Sequence, residues 1–275
     1  SGKGYSPRDF VCFSYGGGGP VHAYGYTKGL GFKETIVPAW AAGFSAFGCA
    51  SADFEYRYDM SVNVGITEES TDEDLDVSVK QLQTAWDTLK VKVLEEFEIN
   101  GFSEKDITFT PGYSMQYLGQ LNDLEIDSPL KSVKDKKDWP ALVAAFDAEY
   151  ARVYADAARS PELGFGITGA ILRGSVETSK PAIPNEKDHG KQPPAGAKTG
   201  TRKFYDQRKW VEADLYHMES LMPGNHVKGP CVIESDATTF VVPTGFETFL
   251  DNHRLFHLVE TDAIQKVAFN TVDAI

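Results

Sequence analysis

The residues best placed to do chemistry lie near the start of the chain, in Tyr15-Gly16-Gly17-Gly18-Gly19-Pro20-Val21-His22. Four consecutive glycines clear every Cβ from one stretch of backbone, so peptide N–H groups can approach a ligand closely. The apolar and aromatic run Asp9–Tyr15 before them reads as a buried strand. Pro20 after them suits the first turn of a helix. A helix start offers unpaired N–H groups and the positive end of its dipole, both favourable to an anion. Gly16, Gly17, Gly18, Gly19, Pro20 and His22 are therefore the candidate nucleotide-binding residues. The segment has neither the Lys-Ser/Thr of a P-loop nor the glycine spacing of a dinucleotide fingerprint. A tight structural turn is the competing reading. His22 stands where it could touch a phosphate or act as a base, and a packed or capping histidine is the alternative. No catalytic residue is singled out.

Elsewhere the signals are weaker. His253 and His257 lie four apart in a strand-like segment, which puts them on one face but without the acidic residue that zincins place between two histidines. No metal site is read. There is no Gly-x-Ser-x-Gly elbow. Ser45, within Gly43–Gly48, reads as a helix-packing residue or a ligand contact. Cys12, Cys49 and Cys231 are widely spaced, with small or apolar flanks that suit buried free thiols in a reducing cytoplasm.

Elements that position the glycine segment follow from the surrounding pattern. Val21–Leu30 reads as the helix after the loop, Thr35–Pro38 as a second strand, and Ala39–Ala52 as a second, buried helix. The β-α-β-α order implies parallel or mixed strands. Phe54–Gly65 reads as a strand. Leu75, Val79, Leu82, Trp86, Leu89, Val93 and Phe97 then step by three and four along one helix face. Thr71-x-x-Asp74 resembles a capping box at its start, and Asn100-Gly101 ends it. Ile107–Tyr117 and Leu121–Ile126 read as a strand pair, about Trp139–Ala157 as a second amphipathic helix, and Phe165–Val176 as a strand. Residues 181–200 carry four prolines and no periodicity, as a linker or long surface loop would. Short strands follow to Val259.

The chain has 275 residues, 27 basic and 40 acidic, for a net charge of −13. Nucleic acid is excluded as a partner, because phosphate backbones reward basic surfaces. No apolar run approaches the roughly 18–20 residues of a membrane span. The start, Ser1-Gly2-Lys3-Gly4, has no initiator Met, as in a tagged, processed or excised chain.

Taken in order, Gly4–Phe10, Tyr15–Ala23, Val37-Pro38, Phe44–Gly48, Met115–Gln120, Gly229–Glu234, Thr238-Thr239 and Val242-Pro243 resemble the hydantoinase A/oxoprolinase family. The resemblance reaches to about His257. Ala158–Gly164, Glu234–Phe240 and Leu250–Leu258 look most like the members that carboxylate acetone or acetophenone at the expense of ATP. The resemblance implies an α/β fold, the second half of an actin/sugar-kinase-like ATPase followed by a small β-rich unit. By it, residues 1–180 form the half-ATPase with inserted helices, 181–200 a linker, 201–260 the β-rich unit and 261–275 a tail.

It further implies ATP with Mg2+, and any transition metal on a partner subunit. The phosphate loop of the family's first half, of the type Asp-x-Gly-Gly-Thr, is not found in this sequence. The opposite wall of the ATP cleft is therefore expected from a hydantoinase-A-like N-terminal half, with a hydantoinase-B-like subunit completing a cytoplasmic hetero-oligomer. Ketone and bicarbonate are the implied substrates and a β-keto acid the product. A cyclic-amide hydrolase (hydantoinase or 5-oxoprolinase) and a non-catalytic structural subunit are the alternatives.

Overall fold

A computed structural model describes residues 5–261. In chain order the elements are β1 Val11–Phe13, α1 Ala23–Thr27, β2 Glu34–Pro38, α2 Phe44–Ser51, β3 Phe54–Ile66, α3 Asp72–Ile99, β4 Thr108–Tyr117, β5 Leu124–Asp127, α4 Trp139–Tyr154, β6 Phe165–Val176, β7 Lys198–Asp206, β8 Lys209–His217, β9 His226–Lys228, β10 Cys231–Glu234, β11 Thr239–Val242, β12 Phe246–Leu250 and β13 Leu255–Glu260. The architecture is mixed α/β with three sheets, and the chain divides into two units.

The first unit comprises Tyr5 and residues 53–179. Its sheet is fully antiparallel, in the order β3-β6-β4-β5. Helix α3 starts where the capping box places it. Thr71 Oγ1 accepts from the Asp74 N–H, and the Asp74 carboxylate accepts from the Thr71 N–H. Three carboxylates in its first turn complement the helix dipole. The stripe Val79, Leu82, Trp86, Leu89, Val93 and Phe97 is buried against the sheet. Each large side chain there contributes roughly 1.5–3 kcal/mol by leaving water. Trp86 hides its one polar atom by donating to the Gly112 carbonyl at 2.8 Å. In the same way Tyr113 donates to the Leu142 carbonyl and Tyr117 to Asp147, each at 2.6 Å, tying α4 to β4.

The second unit comprises residues 6–52 and 180–261. One sheet runs β1-β2-β13-β12-β9, with β1 and β2 parallel and the rest antiparallel. The other runs β11-β10-β8-β7. Its core is built from both ends of the chain, among them Val37, Ala41, Ile233, Phe240, Leu250 and Phe256.

This division departs from the boundaries 1–180 and 201–260 expected from the sequence. Strand β13 pairs with β2, Leu255 opposite Pro38 through Leu258 opposite Thr35, so the last strands complete the sheet that the first residues begin. Pairing across more than two hundred residues leaves no local periodicity to read. Residues 181–197 are irregular, as expected, and they are fastened to this unit. Glu186 N–H donates to Asn252, His189 N–H to Pro223, and Asn225 Nδ2 to Gly190. The tail at 262–275 and residues 1–4 lie outside the described residues.

Two further expectations are corrected. Helix α2 is shorter than Ala39–Ala52 and buries no residue; Phe44 and Phe47 are covered in part, by Phe13, Tyr15 and Trp40. Of the cysteines only Cys231 is buried; Cys12 is half-buried and Cys49, on α2, is exposed.

Thr248 offers a stability test. It is fully buried in β12, opposite Val227 and Leu258, and its hydroxyl has no hydrogen-bond partner among the described residues. An orphaned buried hydroxyl costs about 1–3 kcal/mol. Thr248→Val is therefore expected to raise the urea midpoint at unchanged m-value. A lowered midpoint would show that the hydroxyl is satisfied.

Candidate nucleotide-phosphate site

The glycine segment leaves β1 under control at both ends. Ser14 N–H donates to the Ile36 carbonyl at 2.8 Å and Gly16 N–H to the Ala41 carbonyl at 2.7 Å. The Thr238 hydroxyl, from the turn before β11, lies 3.1 Å from the Gly16 carbonyl and 3.2 Å from that of Gly17, and donates to them. Thr238 is buried, whereas Gly17 and Gly18 are exposed.

The four glycines are not equivalent. Gly16 has φ +87°, a conformation that L side chains rarely adopt. At Gly19 a Cβ would stand 2.0 Å from the Tyr15 carbonyl oxygen. The fold itself therefore demands glycine at 16 and 19. It makes no such demand at the centre. A Cβ on Gly17 would meet only the Ala237 carbonyl, at an ordinary 3.4 Å, and one on Gly18 would meet nothing within 4 Å. The N–H groups of Gly17, Gly18 and Gly19 have no hydrogen-bond partner among the described residues. Three consecutive donors without Cβ shielding form a surface that an anionic oxygen can approach.

The helix after the loop is shorter than expected. Pro20–His22 form a 3-10 turn and α1 has five residues, so little macrodipole accumulates. Gly25 within it, and Gly29 and Gly31 at positive φ beyond it, limit its length. The donors that this loop offers an anion are therefore its own N–H groups. Pro20 is buried and anchors the turn. His22 is exposed and packs against Tyr26 with ring centroids 5.8 Å apart. It has no carboxylate partner among the described residues, so nothing orients it as a base. Ser45 is exposed in the first turn of α2.

The other histidines separate by environment. His253 lies in the turn before β13 and its Nδ1 meets the Pro184 carbonyl at 2.6 Å, whereas His257 is buried within β13. His257 Nδ1 donates to Glu34 and its Nε2 to Asp251, the latter at 3.1 Å. Its ring stacks on Phe249 at 4.5 Å, nearly parallel. Burial acts to lower the pKa of His257, but the bonds to Asp251 and Glu34 outweigh it and raise it to about 9. His257 is thus an imidazolium in an ion triad. Among the described residues no group of three His, Cys, Asp or Glu is arranged to hold a metal ion.

Sequence reasoning missed Thr238, Glu34 and Asp251. Asp251 lies six residues from His257 and offered a local signal; Thr238 and Glu34 act across more than two hundred residues and offered none. A concavity of about 1080 Å3 lies in the first unit, lined in part by Leu121, Arg152 and Arg173. Its guanidiniums are already paired with Glu149 and Asp127, so it presents no uncommitted charge for an anion.

Residues 69–261 match the hydantoinase/oxoprolinase C-terminal domain, and residues 1–58 match hydantoinase/oxoprolinase. The acetone carboxylase beta subunit of Xanthobacter autotrophicus is 64% identical over 94% of this chain and 36% of its own length. The acetophenone carboxylase gamma subunit of Aromatoleum aromaticum is 31% identical over 94% of this chain and 35% of its own. The nucleotide-free structure of acetone carboxylase, described as part of the mechanism of ATP-dependent acetone carboxylation, superposes with a TM-score of 0.75 over 94% of this chain and 37% of that chain, at 64% identity. The ATP-dependent caprolactamase of Pseudomonas jessenii shares the fold at 23% identity and the same TM-score, over 94% of this chain and 36% of that one. The chain spans little more than a third of the length of these relatives.

Proposed function

The chain belongs to the hydantoinase/oxoprolinase family, and from that premise we propose that it is part of the ATP-using subunit of a ketone carboxylase. The observation that carries the nucleotide assignment is the pair Gly17 and Gly18. Their glycine identity answers no demand of the fold, and their N–H groups are uncommitted. Both properties suit a phosphate chain lying against the backbone. The ketone assignment rests on the 64% identity to an acetone carboxylase subunit.

In this reading the N–H groups of Gly17, Gly18 and Gly19 receive nucleotide oxygens. Their orientation is fixed before binding, so they stabilise developing charge without reorganising. Bound ATP, with Mg2+, supplies the phosphoryl groups that activate the enolised ketone and bicarbonate before carbon–carbon bond formation gives a β-keto acid. The second half of an actin-like ATPase is the fold assignment that goes with this role. The opposite wall of the cleft and the hydantoinase-B-like subunit, with any transition metal, belong to the rest of the assembly. The unpaired thiols suit a cytoplasmic setting.

Exposed apolar surface in the second unit supports a larger assembly. Strand β1 is a sheet edge, and Phe10, Val11, Phe13 and Tyr15 are all at least 40% exposed. Phe13 stacks on Phe44 of α2 with centroids 5.5 Å apart, and Phe44 packs in turn on Phe47. A contiguous aromatic surface beside an open edge marks a protein interface.

The test is substrate-dependent ATP turnover by the full-length protein with its co-purifying subunits. ATP hydrolysis is expected to require a ketone together with bicarbonate. Turnover driven by 5-oxoproline, hydantoin or caprolactam, and indifferent to ketone, would overturn the ketone assignment in favour of cyclic-amide hydrolysis.

A further inference from the structure

Among the described residues the Thr238 hydroxyl is the one side-chain group that meets the glycine loop's carbonyls, and its place is itself set by a tight turn. Ser235 N–H donates to the Thr238 carbonyl at 2.9 Å. Ser235 Oγ accepts from the N–H groups of Ala237 and Thr238 at 3.3 and 3.2 Å. Core packing holds the turn from behind, since Ile233 and Phe240 on either side are fully buried. Within a trans peptide unit the C=O and the N–H point in opposite directions. The Gly16 carbonyl shares its peptide plane with the Gly17 N–H, and the Gly17 carbonyl with the Gly18 N–H. One hydroxyl holding both carbonyls therefore turns both N–H groups to the opposite, exposed side.

We infer that Thr238 is a positioning residue for the nucleotide phosphates. It does not touch the nucleotide; it fixes two adjacent peptide planes so that their N–H groups form one anion-facing surface. Glycine is flexible enough to need this, because peptide planes without a Cβ on either side flip at little steric cost. A preorganised donor pair spares the ligand the cost of ordering it. The inference rests on the nucleotide reading above.

The experiment compares Thr238→Val, Thr238→Ala and Thr238→Ser with the parent in the full-length protein and its partner subunits. It measures ATP KM, kcat and thermal midpoint, with Gly18→Val as reference. Valine and alanine remove the hydroxyl, the first at nearly constant shape and the second at reduced volume, so a folding defect in one leaves the other to read. The expected result is a rise in ATP KM of roughly tenfold, the effect of losing one hydrogen bond. The kcat with ketone should change less, and Thr238→Ser should restore the parent KM. Amide hydrogen exchange at Gly16, whose N–H is bonded to the Ala41 carbonyl, should quicken without nucleotide in the valine and alanine variants and not in the serine variant. Parental ATP KM and exchange in folded Thr238→Val or Thr238→Ala, with Gly18→Val crippled, would overturn the role of Thr238 and leave the nucleotide site standing. Quickened exchange with unchanged ATP KM in every variant, Gly18→Val included, would remove the nucleotide site and with it this inference.

Discussion

Gly18→Val in the assembled enzyme is expected to lower kcat/KM for ATP by about a hundredfold or more, the scale of losing one preorganised backbone donor, while leaving the thermal midpoint close to that of the parent. The two halves of this result come from different observations. Folding is spared because a Cβ at position 18 meets nothing within 4 Å, and its φ lies outside the left-handed region. Nucleotide use suffers because an isopropyl group would stand beside the Gly17, Gly18 and Gly19 N–H groups, where phosphate oxygens must approach. Gly17→Val should behave similarly, with slight crowding against the Ala237 carbonyl. Gly19→Ala is the contrasting control. Its Cβ would lie 2.0 Å from the Tyr15 oxygen, so the backbone must move. That variant is expected to lose stability, by about 3 kcal/mol, and to lose ATP use through misfolding. Calorimetric titration with nucleotide and thermal melts on the same samples separate the two effects. Undiminished ATP affinity in folded Gly18→Val would reduce the loop to a structural turn.

The contrast between these glycines also marks how far the sequence could be read. A run of four glycines between a strand and an expected helix was visible at once, but not which of them the fold demands and which it leaves free. That distinction depends on Tyr15 folding back over Gly19 and on Thr238 arriving from the far end of the chain. Helix α3 was legible in full, since its periodicity, capping box and terminating glycine are all local. Helix α2 was legible as a helix but not as an exposed one. Apolar composition reports that a surface needs covering, not which polypeptide covers it. The same limit hid the pairing of β13 with β2, and so the division of the chain. A strand's alternation is the same whether its partner lies ten residues away or two hundred. The partly buried carboxylate of Glu34 was illegible for a related reason: it reads as an ordinary surface acid until His257 is set between it and Asp251, whose nearness in sequence was the local signal.

That triad gives the second large effect. His257→Gln is expected to destabilise the chain by about 3–5 kcal/mol near neutral and mildly acidic pH, because Glu34 and Asp251 remain close together with no cation between them. The pH dependence has a definite sign. The unfolded imidazole titrates near 6.5 and the folded one near 9. Below 6.5 the ring is protonated in both states and the contribution of the triad is complete. As pH rises from 6.5 through 9 the folded state loses its proton and the contribution goes with it. The displacement from 6.5 to about 9 corresponds to about 3 kcal/mol. At the acid end Asp251 matters. Burial works to raise its pKa, but the bonds from His257 and from the Leu255 and His253 N–H groups hold it low. Its contribution is therefore lost only as pH falls below the usual carboxylate range. Nearby, burial pushes the His226 pKa down against the pull of Glu247, in the opposite direction to His257. Urea unfolding of parent and His257→Gln at about pH 6 and about pH 10 measures the linkage directly. The gap between them should shrink from several kcal/mol to about 1 kcal/mol, the remainder being the ring's packing and neutral hydrogen bonds. An equal gap at both pH values would mean that the His257 pKa is not raised on folding, and that the two carboxylates do not gain from its charge.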